Sequence, residues 1–203
     1  MLCLAAIATM MAKPYFTNAS RPLRGIIDPQ VALQMARNVN EVDAVLGDAP
    51  SPDREVMRIK QYVDFGFIAF YGGLFVALGL LAGGSLGFAA ALAGVAAAVF
   101  DVLENLAILR ILDVPLAATT QGMIDAIRRP SYAKWTLAFV ALALLSRFFL
   151  AGPGWLRRTV GVLGALAAAI GFYGLYDNAA LVFASGFMAL TIAGIAGLFF
   201  RLR

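Results

Sequence analysis

Residues 65–100 read FGFIAFYGGLFVALGLLAGGSLGFAAALAGVAAAVF, 36 positions without one charged side chain, broken only at Gly83-Gly84-Ser85. A helix rises about 1.5 Å per residue and needs roughly 20 apolar residues to cross the hydrocarbon of a bilayer. The stretch is nearly twice that length and has its glycines near the middle. It predicts two transmembrane helices joined by a tight turn, over about 62–82 and 86–109. Outward from this hairpin, a third span is expected over 133–151, with Arg147 inside it, and Pro153-Gly154 then breaks the chain. The last apolar stretch, interrupted at Asp177-Asn178 and at Ser185-Gly186, divides into a span over 159–182 and a short one over 186–200. The fold class expected is all-α: a polytopic transmembrane helical bundle of five clear spans plus a short N-terminal one.

Composition agrees with that reading. Of 203 residues, 62% are hydrophobic and only 14% charged, against roughly 25% charged in a soluble domain. The chain has no histidine and a single cysteine, Cys3. Histidine-ligated haem and iron, most catalytic zinc sites, a cysteine cluster and an intrachain disulfide are therefore not expected, and neither is any cofactor or metal. The net charge of +4 comes from basic residues that flank apolar segments instead of forming a run. This is the pattern of the positive-inside rule, so membrane lipid is the expected partner and nucleic acid is not.

The N-terminal 16 residues are apolar but short for a span, and read as a membrane anchor, embedded or interfacial; a removable signal peptide is not expected. Residues 17–61 form the one substantial polar segment, and 62–203 the bundle. Asp28-Pro29 makes a helix start, and Val31, Met35, Val39, Val42 and Leu46 form an apolar stripe. Asn38 with Glu41 offers an alternative restart within it, Gly47 ends it, and Ser51-Pro52 begins a helix that runs into the first span. Asp113–Ser131 reads as a short interfacial helix. Seven basic residues in 13–61 and four more from Arg110 to Lys134 place those segments on the cytoplasmic side of a bacterial inner membrane.

Ionisable groups inside spans are costly and are functional candidates by default. Asp101, Glu104, Asn105 and Ile108 follow i, i+3, i+4, i+7 spacing and share one helix face. Counting from Arg110 puts Glu104 about 9 Å and Asp101 about 13 Å from the inner boundary. Asp64 with Tyr71 on the first span, Lys134 at the start of the third, and Asp177 and Asn178 late in the fourth complete a polar cluster in the inner half of the membrane. Two readings stand. As a staple, Lys60 serves Asp64, Lys134 or Arg110 serves Glu104, and Asn105 bonds a backbone carbonyl. As a site, the cluster holds a cation, a proton or a polar headgroup, with Asp101 the discriminator because it lies deepest and has no obvious cationic partner in its own helix.

Gly79/Gly83, Ala93/Ala97, Gly171/Gly174 and Gly194/Gly197 are small-residue pairs suited to close helix approach. No phosphate-loop, serine-hydrolase or zinc-protease motif occurs. Asp64-Phe65-x-Phe67-Ile68-x-x-Tyr71, followed by Asp101-x-x-Glu104-Asn105 and by Lys134-Trp135, resembles a bacterial family of uncharacterised integral membrane proteins across about residues 30–150. The resemblance implies a membrane bundle and no particular activity. A non-enzymatic accessory or scaffold subunit, partnered by other subunits or by its own copies, is the leading expectation. A small transporter, channel or lipid binder using the carboxylates is the alternative, and a lipid-acting enzyme is a third.

Overall fold

The computed structural model describes residues 16, 17 and 23–201. The anchor expected over residues 1–16 lies, but for Phe16, outside the described residues. Among these, the chain forms seven α-helices and no strand: α1 (Pro29–Gln34), α2 (Val39–Leu46), α3 (Pro52–Ala82), α4 (Gly84–Ile111), α5 (Gln121–Leu150), α6 (Trp155–Tyr176) and α7 (Ala180–Arg201). The helices α3 to α7 are each long and apolar enough to cross a membrane. Each packs against the next in an up-and-down succession.

The apolar and polar residues are distributed inside out relative to a water-soluble bundle. On α4, Leu86, Phe88, Leu92, Val99, Leu103 and Leu106 are exposed, while Asp101, Glu104 and Asn105 are buried. Such an outer surface is stable against lipid tails, where exposing Leu or Phe costs nothing.

The hairpin behaves as its glycines predict. Gly83 alone links α3 to α4, and both Gly83 and Gly84 have positive φ (68° and 63°), a conformation that a side chain would strain. Just inside the turn the two backbones touch: a Cβ on Gly79 would meet the Gly87 carbonyl oxygen at 2.5 Å and the Ala91 methyl at 2.7 Å. Gly79→Ala should therefore lower the unfolding midpoint in detergent, by the equivalent of about 1–3 kcal/mol for overpacking. Gly197→Ala, where a Cβ meets nothing within 4 Å, should leave the midpoint in place.

Three boundaries differ from the sequence expectation. The fourth and fifth spans part at Asp177–Ala179, not at Ser185-Gly186. Asp177 leaves the helix with φ −102° and ψ 94°, whereas Ser185 returns its hydroxyl to the Val182 carbonyl and sits inside α7. A helix thus tolerates Ser-Gly where the serine satisfies itself. The fourth span also starts earlier, at Trp155 and not near Thr159. The short interfacial helix expected in Asp113–Ser131 is a 3-10 turn, Leu116–Ala118, followed by the first turns of α5, which passes through Pro130 without ending.

The polar segment folds onto one end of the bundle. The apolar stripe is split between α1 and α2, because the Asn38 side chain caps the second helix at Glu41 N–H. Met35, Val42 and Leu46 are wholly buried. Arg54, 1% exposed, fastens this end: its guanidinium donates to the carbonyls of Gly47, Ile111, Leu112 and Val114. Asp48 accepts the backbone N–H groups of Leu116 and Ala49, which hold its carboxyl below the usual carboxylate range. The N-terminal segment and the α4–α5 connection are therefore one layer. Asn178 joins it from the α6–α7 turn, accepting from Arg24 at 3.4 Å.

Candidate functional site

The i, i+3, i+4, i+7 face of α4 is buried throughout, and what it meets comes from α3 and α5. Lys134 on α5 places its ammonium 2.6 Å from Asp101 Oδ1 and 2.8 Å from Glu104 Oε1. All three side chains are at most 8% exposed. Asp101 thus shares this cation with Glu104. The Tyr71 hydroxyl donates to the other Asp101 oxygen at 2.9 Å. Two turns back along α3 from Tyr71, Asp64 accepts from the Asn105 side-chain amide at 3.1 Å. Asn105 bonds a carboxylate, then, and not the backbone carbonyl expected for it.

Asp64, Tyr71, Asp101, Glu104, Asn105 and Lys134 therefore form one cluster spanning three helices. Asp177 does not join it. Its side chain is exposed and serves Ala179 N–H and the Tyr173 hydroxyl. Asn178 is buried but apart, donating to Gly174 O and Tyr132 Oη, so it closes the α6–α7 turn against α5. Removing the Tyr71 donor leaves a buried carboxylate oxygen unserved, which costs about 1–3 kcal/mol. Tyr71→Phe should lower the thermal midpoint accordingly, whereas Asp177→Ala should stay within about 0.5 kcal/mol of wild type, as exposed substitutions do.

A cavity reaches the cluster at Asp64, Tyr71, Asp101 and Lys134. The outermost helices, α3 and α7, face each other across a part-open groove of about 410 Å³, within the range of roughly 300–1,000 Å³ typical of ligand sites. Its floor is α5, through Lys134, Trp135 and Ala138, with Asp101 behind. The α3 wall presents Lys60, Asp64, Phe67 and Tyr71; the α7 wall presents Ser185, Met188, Ala189 and Ile192. Asp28, Gln30, Val31 and Gln34 close the polar end. Gln34 is fixed there by the Trp135 indole N–H, which it accepts at 3.2 Å. Toward the other end the groove continues into a narrow space of about 40 Å³ among Leu74, Leu78, Leu145 and Ile195, which shares Phe67, Tyr71, Met188 and Ile192 with it. The site is thus graded along its length, charged at one end and hydrocarbon at the other.

Three wholly buried side-chain oxygens have no hydrogen-bond donor: Glu104 Oε2, Asn105 Oδ1 and Gln61 Oε1. Gln61 spends its amide N–H on Met57 Sδ, a weak acceptor, at 3.2 Å. Among the described residues no three His, Cys, Asp or Glu side chains stand together as a metal-binding group.

Sequence reasoning missed Gln34 and Trp135 as parts of the site. Gln34 carried no local signal, because only the docking of α1 onto α5 brings it to the groove. Compared with protein-family models, curated proteins and solved structures, the chain matches none.

Proposed function

We propose that this integral membrane protein binds one amphiphilic molecule in the groove between α3 and α7, without catalysing a reaction on it. The observation that carries the reading is the polarity gradient. A buried ammonium, carboxylates and a tyrosine hydroxyl gather at one end of a cavity whose other end is lined almost entirely by apolar side chains. Small-molecule sites combine an apolar wall with a few placed polar groups in this manner. Asp101 and Glu104 share a single ammonium and are held by it, which suits fixing a headgroup better than exchanging protons with a substrate. By the positive-inside rule the polar end, with Arg24, Arg54 and Arg58, lies on the cytoplasmic side of a bacterial inner membrane. The accessory-subunit reading rests on the apolar outer faces of the helices, which lipid covers equally well.

Trp135 on the groove floor reports occupancy. The chain has two tryptophans, and Trp155→Phe leaves Trp135 as the single emitter. In bilayers containing a single-chain lipid brominated near its headgroup, Trp135 should be quenched, and Ala189→Phe, which narrows the α7 wall, should relieve the quenching. Emission indifferent to both the brominated lipid and the Ala189 substitution would sink the proposal.

A further inference from the structure

We infer that the polar end of the bundle holds a second site, separate from the groove, for the phosphate group of an anionic phospholipid. It lies where the loop before α1, the first turns of α5 and the α6–α7 turn meet. Arg24 in the loop donates to Asn178 in the turn at 3.4 Å, and Asn178 donates to the Tyr132 hydroxyl on α5 at 3.3 Å. Arg128, one turn before Tyr132, lays its guanidinium over that ring, 5.5 Å from the centre. None of these four residues lines the groove. Arg24 is held in place by the Met35 carbonyl and Glu41, at 2.6 and 3.2 Å. The donors of α5 are left over. Arg128 and Tyr132 are half-buried, and among the described residues the Arg128 side chain makes no ion pair or hydrogen bond. The Tyr132 hydroxyl accepts from Asn178, which leaves its own hydrogen to donate.

Charge agrees with the donors. Burial lowers the Arg24 guanidinium from its ordinary value; Glu41 raises it, and Arg37 and Arg128 lower it further. Three guanidinium groups therefore act on one another here, with Glu41 the carboxylate they share. Asp125, one turn before Arg128, is taken by Arg129 and Gln121. Residues 1–22 contain neither Asp nor Glu, so that segment brings no further carboxylate. A phosphate would supply the missing charge, and its paired oxygens match the guanidinium fork. Basic pockets between spans hold phospholipid headgroups in this manner. The level suits a lipid: Tyr173 and Tyr176, exposed on the last turns of α6, are side chains of the headgroup boundary, and Phe172 and Leu166 are exposed on the same helix for acyl chains. A contact of this kind is screened by salt and exchanges with the bilayer, so titration reads it and extraction does not.

The test takes the full-length chain, stripped of lipid in a neutral detergent, and titrates it with phosphatidylglycerol and with phosphatidylcholine of the same chains. Native mass spectrometry counts the lipids bound. The first phosphatidylglycerol should bind wild type at least about fivefold more tightly than phosphatidylcholine, the equivalent of roughly 1 kcal/mol for an arginine at a membrane surface. Arg128→Gln should lose that preference. Arg129→Gln, which removes the same charge from a side chain 82% exposed, should keep it, and so should Ala189→Phe in the groove. Equal loss in the two arginine variants would reduce the effect to diffuse charge, and loss in Ala189→Phe would put the lipid in the groove; either overturns the site. Equal binding of the two lipids by wild type overturns it without any variant. Displacement of phosphatidylglycerol by millimolar inorganic phosphate would assign the site to a soluble anion and overturn the lipid.

Discussion

Lys134→Met should remove most of the folded protein from detergent extracts. Among the described residues the ammonium is the one cation within bonding distance of both Asp101 and Glu104, at 2.6 and 2.8 Å, and it is only 7% exposed. Deleting it leaves two carboxylates with no counter-charge at a depth where water is scarce. Breaking a buried pair in this way costs about 3–5 kcal/mol, a large share of the roughly 5–15 kcal/mol by which proteins are stable. The control separates charge from shape. Adding Asp101→Asn and Glu104→Gln to Lys134→Met removes the uncompensated charges while keeping the volumes, and folded yield should return toward wild type. A Lys134→Met protein that unfolds at the wild-type midpoint would show that the pair contributes nothing.

Arg54→Leu should detach the N-terminal layer from the bundle. Here the partners are carbonyls at an end of α4 and in the loops on either side, and the guanidinium serves four of them from a wholly buried position. Hydrogen bonds from a charged donor contribute about 1.5–3 kcal/mol each, and the freed carbonyls would stay buried. Arg54→Lys keeps the charge but not the planar fork, so it should rescue only partly. The readout is limited proteolysis: cleavage between Gly47 and Pro52 should speed up in Arg54→Leu by one to two orders of magnitude, or about 1.4 kcal/mol per tenfold if opening is in fast equilibrium. Unchanged cleavage would mean that the buried stripe of Met35, Val42 and Leu46 holds the layer alone.

The contrast between these two residues marks what the sequence can reveal. The Asp101–Glu104–Asn105 face was legible because a helix repeats every 3.6 residues, and charged residues in an apolar run stand out against the cost of burying them. The hairpin was legible because Gly83-Gly84 divides a run long enough for two spans. Arg54 looked like one of several basic residues near a membrane boundary; only the tertiary fold turns its guanidinium inward onto α4. The break between α6 and α7 was misplaced for a local reason. Ser185-Gly186 has the composition of a break, yet the serine bonds Val182 O within the helix, while Asp177 and Asn178 use their side chains to close the turn. The groove had no sequence signal at all. It exists because α3 and α7 end the succession of packed helices and face one another over α5, a fact about five elements at once.

Under the ligand-binding role we propose, the polar cluster would serve twice with one set of residues. Lys134 joins α4 to α5, and Tyr71 joins α3 to α4, so the ligand end of the groove is built from the contacts that hold the bundle together. Substitutions there will confound binding with folding, and the α7 wall is the better place to test binding. Ala189 lines the groove and belongs to none of the ion pairs or hydrogen bonds above.

The most direct measurement is therefore native mass spectrometry of the chain extracted gently from its own membrane, beside its Ala189→Phe variant. The account predicts one small amphiphile retained per wild-type chain, and the same chain bare, but equally folded, in the variant. A wild-type chain with no adduct, an adduct that Ala189→Phe does not displace, or a stoichiometric protein partner in place of a small molecule would contradict it.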